Sequence, residues 1–279
     1  MTHLVSLDWL HQHLHDPRVI IVDCRFQLGQ PDAGRNAYRQ DHIPGAFYLD
    51  LEQDLSGPLS THGGRHPLPV PELFAKTVGA IGIDDSVTVV AYDNQGGAMA
   101  GRLWWLLTYL GHPQARVLNG SYSLWKKQGY PISAELPSAQ PRLFQPRVQP
   151  QLVATMEEVK AKLQDPETVI IDSREGVRYR GEKEPIDPVA GHIPGAKHYF
   201  FKEAFAEEGQ LKQSKALEEH FANIPKDKEV IVYCGSGVTA TPNILALREA
   251  GYHRVKLYAG SWSDWISYPD NPIATGEAW

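Results

Sequence analysis

Cys234 interrupts the run VIVYCGSGVTATPNILALREAGY at residues 230–252, between a short apolar strand-like stretch and a segment of helical periodicity. In an α/β sheet that junction, beyond the carboxyl end of a strand, is where ligands bind. The residues that follow, Gly235, Ser236, Gly237, Val238 and Thr239, carry little side chain. Small residues let the backbone curl tightly and aim successive N–H groups at the sulfur. Those amides, with the positive end of the next helix, would favour a thiolate, the form of cysteine that attacks electrophiles. Many free cysteines are instead simply buried. Cys24, within the strand-like IIVDCR and matched later in the chain by Ser173, reads that way.

The elements that would position such a loop occur twice. VIIVDCRFQ and DHIPGA, within 19–46, return as VIIDSREG and GHIPGA, within 169–196. VTVVAYDNQGG at 87–97 is answered by EVIVYCGSGV at 229–238, and VLNGSYSLWKKQGYPI at 117–132 by LYAGSWSDWISYPDNPI at 257–273. Matches in the same order and at similar spacing mean a duplicated domain. The expected domains are 1–130 and 152–279. Between them, at 131–151, Pro131, Pro137, Pro141, Pro146 and Pro150 predict an extended, stiff linker. Within each copy short β-branched runs alternate with helical stretches. That predicts two α/β domains, each a mainly parallel sheet with helices on both faces. Ser6 should cap the helix begun by LDWLHQHL, and Thr155 with Glu158 has the spacing of a capping box. Ser121 and Ser261, each after a glycine, are expected to open tryptophan-containing helices. The alignment sets Asp93 opposite Cys234. A carboxylate cannot do a thiol's chemistry, so the first copy lacks the nucleophile and Asp93 reads as a loop or helix-capping acid.

The 279 residues hold 27 Lys and Arg against 33 Asp and Glu, a net charge of −6, with no cationic block. That argues against nucleic acid or an anionic membrane as partner. A composition of 42% hydrophobic and 22% charged residues is that of a soluble globular protein. The start MTHLVSLDWLHQHLHDP lacks the cationic and apolar regions of a secretory signal, and no apolar run is long enough to span a bilayer. Two cysteines make no disulfide framework and form no C-x-x-C pair. A reducing cytoplasm is the expected location.

With YCGSGVTA at 233–240 and HIPGA in each half, the chain resembles the tandem-domain rhodanese superfamily over nearly its whole length. Its cysteine loop is similar to that of 3-mercaptopyruvate sulfurtransferases. The resemblance implies that the C-terminal copy alone is catalytic, with the N-terminal copy closing the cleft. It implies sulfur transfer in two steps: the Cys234 thiolate takes the donor's terminal sulfur as a persulfide, and a thiol or cyanide acceptor then removes it. No metal or organic cofactor is required. The implied partners are a small-molecule sulfur donor and that acceptor, with a thioredoxin-like or other sulfur-acceptor protein as a further candidate.

Rhodaneses that use the dianion thiosulfate usually carry a basic residue in this loop, whereas residues 235–239 here are neutral. A neutral loop suits a monoanionic keto acid such as 3-mercaptopyruvate, its carboxylate met elsewhere by an arginine fork. By resemblance that arginine is Arg178, in VRYRGEKEP, ahead of its neighbour Arg180. The resemblance places a second arginine directly after the Glu-Pro of this region, where this chain has Ile186. Half of the carboxylate clamp is therefore missing or supplied from elsewhere. An Asp–His–Ser relay is implied as well, made of Asp54 in EQDLSGP, His66 in GGRHPLP and Ser236, able to hand a proton to the departing group. His42 and His192 occur in both HIPGA motifs, hence also in the copy without a nucleophile, and read as fixing a turn.

Three other readings compete. A cysteine loop of this kind also serves phosphatases, but those clamp phosphate with an arginine at the loop's end, where Ala240 and Thr241 stand. A thiosulfate:cyanide sulfurtransferase, or a carrier delivering persulfide sulfur to a protein partner, would keep the same loop. A purely structural pair of domains would have no need of it.

Overall fold

The computed structural model describes residues 2–206 and 208–277. The chain forms two units. One holds the chain up to Gly57, Pro69–Gln149 and Phe205–Leu211; the other holds Pro58–Leu68, Pro150–Ala204 and the chain from Lys212. Among the described residues no helix is long and apolar enough to cross a membrane.

In the first unit the elements are β1 (Leu4–Val5), α1 (Leu7–Gln12), β2 (Val19–Asp23), α2 (Ala33–Gln40), β3 (Phe47–Tyr48), α3 (Pro71–Ala80), β4 (Thr88–Tyr92), α4 (Ala98–Tyr109), β5 (Ala115–Leu118) and α5 (Tyr122–Lys127). Their strands pair in the order β1-β5-β4-β2-β3, every pair parallel. The second unit repeats the plan with β6 (Val153–Ala154), α6 (Met156–Ala161), β7 (Thr168–Asp172), α7 (Gly176–Tyr179), β8 (Lys197–His198), α8 (Ser214–His220), β9 (Glu229–Tyr233), α9 (Ala240–Glu249), β10 (Val255–Tyr258) and α10 (Ser261–Trp265). Its order is β6-β10-β9-β7-β8, again all parallel. The expected pair of α/β domains is thus what forms.

The β-branched runs explain the strands. A parallel sheet covered by helices is buried on both faces and needs near-continuous apolar sequence; β9 meets this with Val230, Ile231, Val232 and Tyr233 all fully buried. The helices that follow the two central strands are buried as well, α4 from Ala98 to Leu107 and α9 from Ala240 to Leu247. Each therefore lies in the core, its first turn fixed just beyond a strand end. Tryptophans fill the same place in both copies: Trp125 and Trp265 are fully buried, their indole N–H groups donating to Pro131 O (2.8 Å) and Pro272 O (2.9 Å).

A buried Asp-x-Arg at the end of β2 and of β7 pins each sheet. Arg174 Nε and Nη2 donate to Asp172, and its guanidinium lies 4.7 Å from the Trp262 ring; Arg25 does the same with Asp23 and Tyr122 (4.2 Å). Burial alone would push the Asp172 carboxyl up, but the adjacent Arg174 wins and holds it below the ordinary carboxylate value. The HIPGA histidines are turn-fixing residues, as their presence in both copies implies. His42 Nδ1 donates to Tyr38 O (2.7 Å) and His192 Nδ1 to Tyr179 O (2.8 Å), both rings buried.

All four expected helix starts hold, three of them with a side-chain cap. The hydroxyls of Ser6, Ser121 and Thr155 accept the N–H of Trp9, Leu124 and Glu158 at 3.1, 3.1 and 3.2 Å. Ser261 opens its helix without capping it. It is the first residue of α10, with Gly260 as cap, and its side chain is used elsewhere. Residues 131–149 form no helix and only one isolated β-bridge, Ser133 to His42, and run along the first unit. There Arg142 N–H reaches Gly79 O and Gln149 N–H reaches Tyr109 O (both 2.8 Å), and Phe144 is buried.

Candidate active site

Cys234 follows β9 directly and is 1% exposed. The turn from β10 into α10 staples it. Cys234 N–H donates to Ser261 Oγ (3.1 Å), Trp262 N–H to Cys234 O and Ser263 N–H to Gly235 O (both 3.0 Å). Ser261 reaches that position with φ 56°, the one positive φ of a non-glycine among the described residues, and its hydroxyl donates on to Tyr258 O (2.9 Å). A side chain held in this sparsely populated region marks a spot that the surroundings over-determine. Gly237 has φ 74°, and a Cβ there would lie 2.2 Å from Ala259 O, so only glycine fits. At the loop's end Thr241 N–H and Oγ1 both donate to Val238 O (3.0 and 2.8 Å), turning the chain into α9.

This geometry leaves donors free. The N–H groups of Gly235, Ser236, Val238 and Thr239 meet no acceptor among the described residues. The first unit shows what such a loop does with an anion. Asp93, in the position of Cys234, accepts from the N–H groups of Gln95, Gly97, Met99 and Ala100 at 2.8, 3.0, 2.8 and 3.0 Å. Burial pushes its carboxyl up and the four N–H groups pull it back, with burial prevailing. Asp93 is thus the loop-capping acid that its residue type predicts. Cys24 sits beside buried acids in the same unit. Burial pushes its thiol well up, with the charges of Asp23, Asp93 and Asp54 adding to the effect, as suits a structural cysteine.

Side chains from two further segments reach the Cys234 loop. Residues 58–68 lie on the second unit, where Gly63 N–H donates to Asp264 Oδ1 (2.7 Å) and Arg65 N–H to Ser263 Oγ (3.1 Å). This sets the buried His66 with its Nδ1 2.7 Å from Ser236 Oγ. From α7, Arg178 donates through Nε to both oxygens of Glu184 (3.0 and 2.9 Å) and through Nη2 to Asp187 Oδ2 (3.0 Å). Its Nη2 and Nη1 lie 3.4 and 3.6 Å from the point a Gly235 Cβ would occupy. Arg178 and the His66–Ser236 pair therefore converge on the loop. Arg180 turns to Glu182 through Nε (2.8 Å), Ile186 is exposed, and Asp54 lies in the first unit, its carboxylate accepting Asp50 N–H (2.8 Å).

Two residues at the loop escaped the sequence reading. Ser261 opens α10 as its place after a glycine predicts, but nothing local in a sequence announces a serine at positive φ. Arg65 stands beside His66 in GGRHPLP, and its Nη2 is 3.0 Å from the same Gly235 Cβ point. The signal for it is the isoleucine at 186, which leaves half of the expected clamp missing or supplied from elsewhere.

Residues 6–128 and 155–268 each match the family described as Rhodanese-like domain. The chain is 40% identical over 279 residues to a probable 3-mercaptopyruvate sulfurtransferase of Pseudomonas aeruginosa, covering 98% of both chains. It is 37% identical over 272 residues to a putative thiosulfate sulfurtransferase of Mycobacterium tuberculosis, covering 94% of this chain and 93% of that one. Among solved structures, the crystal structure of SseA from Escherichia coli, described with the 3-mercaptopyruvate sulfotransferases, superposes with a TM-score of 0.84 at 33% identity. That match covers 94% of this chain and all of the other.

Proposed function

The chain belongs to the rhodanese family and is a sulfurtransferase, and on that premise we propose that it moves sulfane sulfur from 3-mercaptopyruvate to a thiol or cyanide through a persulfide on Cys234. In the first half-reaction the Cys234 thiolate attacks the donor sulfur. The S–S bond forms, the donor C–S bond breaks, and its electron pair leaves as the enolate of pyruvate, which takes up a proton. Ser236, hydrogen-bonded to His66, is the group placed to deliver that proton. In the second half-reaction the acceptor attacks the outer sulfur and Cys234 leaves again as thiolate.

The observation that carries this reading is the Asp93 loop. The same backbone, in the copy without a cysteine, directs four N–H groups onto a carboxylate. In the Cys234 loop the N–H groups of Ser236 and Val238, the counterparts of Gln95 and Gly97, are open together with those of Gly235 and Thr239, and such preorganised amides would stabilise a persulfide anion. Arg178 gives the donor carboxylate a guanidinium at Gly235.

The test is a side-by-side assay of 3-mercaptopyruvate and thiosulfate as donors to cyanide, with Cys234→Ser as blank. Mass spectrometry of the intact protein checks for one added sulfur atom. Preference for mercaptopyruvate, abolished in Cys234→Ser, supports the proposal; activity surviving in that variant would falsify it. Preference for thiosulfate would transfer the same mechanism to the dianion, a donor class that the guanidinium at Gly235 also attracts. Persulfide loading with turnover of neither donor would instead mark a carrier that delivers sulfur to a protein.

A further inference from the structure

Gly235 is the only loop residue next to Cys234 whose missing side chain leaves room for two guanidiniums. From its Cβ point, Arg65 Nη2 lies at 3.0 Å, Arg178 Nη2 at 3.4 Å and Arg178 Nη1 at 3.6 Å. The two arginines come from segments far apart in sequence and are held together by one carboxylate. Asp187, with a side chain 2% exposed, accepts Arg65 Nη1 on Oδ1 and Arg178 Nη2 on Oδ2, the latter at 3.0 Å. Each guanidinium is thus fixed at one end and spare at the other. Arg65 Nη2 and Arg178 Nη1 donate to no described residue, and Arg65 Nε is buried without a hydrogen-bond partner. Arg65 Nε is the buried one of these, and a buried donor without an acceptor is rare in folded proteins.

We propose that Arg65 is the second guanidinium of the donor site, supplying from the 58–68 segment the carboxylate contact that Ile186 cannot make. The inference rests on the keto-acid reading above and names a residue for it. A donor carboxylate beside Gly235 would receive Arg178 Nη1 from one side and Arg65 Nη2 from the other, while its sulfur faces Cys234. Charge selects the class of donor. Arg65, Arg174 and Arg178 are already balanced by Asp172, Glu184 and Asp187, three cations against three carboxylates. A monocarboxylate adds one charge to this group, a dianion two. Spare directional donors without surplus charge therefore favour the α-keto monocarboxylate.

The competing role for Arg65 is to tether residues 58–68, and hence His66, through Asp187. Arg65→Lys separates the two, because a lysine keeps a cation for Asp187 but has no second guanidinium nitrogen to offer at Gly235. The first measurement is calorimetric titration of pyruvate, the keto-acid product, into Cys234→Ser protein with Arg65 as Arg, Lys or Ala. The second is steady-state turnover of 3-mercaptopyruvate by the same series with Cys234 intact. Loss of one charge-assisted hydrogen bond predicts pyruvate binding about 10- to 100-fold weaker in both Arg65→Lys and Arg65→Ala. KM for 3-mercaptopyruvate should rise by a similar factor, with kcat changed by no more than about threefold.

Pyruvate binding in Arg65→Lys equal to that with Arg65 retained would overturn the proposal. So would a fall in kcat at unchanged KM, the pattern of a tether that misplaces His66. Weaker pyruvate binding in a protein that does not turn over 3-mercaptopyruvate would leave Arg65 in an anion site while refuting the donor. Normal turnover with Arg65→Lys indistinguishable from the parent would do the reverse.

Discussion

Gly237 offers a measurement of what holds the cysteine loop in shape. Gly237→Ala places a side chain on a residue with φ 74°, which costs an L-residue about 1–2 kcal/mol. The new Cβ would lie 2.2 Å from Ala259 O, 3.0 Å from its carbonyl carbon and 3.1 Å from its Cα. All three are backbone atoms, so no side chain can swing away, and the β10–α10 turn must retreat by about 1 Å to restore ordinary contact. That turn carries Ser261, Trp262 and Ser263, whose three hydrogen bonds hold Cys234 and Gly235. Losing two or three buried hydrogen bonds at about 1 kcal/mol each brings the total to about 3–5 kcal/mol. At roughly 4 °C per kcal/mol for a unit of this size, the second unit should melt about 12–20 °C lower. Gly235→Ala is the control. Its Cβ meets only the side-chain ends of Arg65 and Arg178, at 3.0 Å and beyond, and no backbone, so its stability should fall by less than about 1 kcal/mol while the donor KM rises. Differential scanning calorimetry on both variants decides the matter. A Gly237→Ala protein melting with the wild type, or a Gly235→Ala protein as unstable as Gly237→Ala, would refute the account of the loop.

Ser236→Ala should slow the donor half-reaction about 100-fold, the scale of a lost proton delivery, and leave discharge of a preformed persulfide to cyanide unchanged. Stopped-flow single turnovers separate the two, and equal slowing of both would reduce Ser236 to a loop-shaping role. Ser261→Ala leaves the buried Cys234 N–H without its acceptor and should cost about 1–3 kcal/mol in urea unfolding; no change would mean that the N–H finds another partner. Acid should weaken the second unit. In Asp172 and Glu184 burial opposes ionisation, but Arg174 and Arg178 outweigh it and hold both carboxyls below their ordinary 3.8 and 4.5. The unfolded chain therefore takes up these protons first, and the stabilisation, present above about pH 4.5, is lost as pH falls further. Hydrogen exchange at β7 should lose protection over that window. Asp93, whose carboxyl is raised by burial, carries the opposite sign, so the amides of its loop should keep theirs.

The duplication, the strand-helix alternation and the place of Cys234 were legible because each is written in contiguous residues. Continuous runs such as VIIVD and EVIVY can be buried on both faces, and a glycine-rich turn after a strand has few other uses. Asp93 was legible for the same reason, as a carboxylate in a loop lined with amides. Ser261 was not, since its hydroxyl serves Cys234, 27 residues away, rather than its own helix. Arg65 was hidden for a related reason. Its significance depends on Asp187, 122 residues distant, and on the 58–68 segment packing with the second unit. No local pattern encodes that.

Comparison of the two loops yields a test of the anion cradle that needs no turnover. In aspartate each carboxylate oxygen is the second atom beyond Cβ. In a cysteine persulfide the outer sulfur is also the second atom beyond Cβ. Asp93 therefore presents its charge at the same depth at which a persulfide on Cys234 would, and it is met there by four N–H groups. If the loops are equivalent, Cys234→Asp should satisfy the open donors of the second unit as Asp93 does those of the first. Cys234→Ala should leave them open. Burial works against the ionised carboxylate and prevails at Asp93, so the advantage of Cys234→Asp over Cys234→Ala is that of acceptors supplied to donors that alanine leaves open, about 1–2 kcal/mol. Cys234→Asp should accordingly melt above Cys234→Ala, both being inactive, and Asp93→Ala should melt below the wild type. A Cys234→Asp protein less stable than Cys234→Ala would mean that the loop amides do not converge on the site of the outer sulfur. The persulfide would then need a different stabilising group.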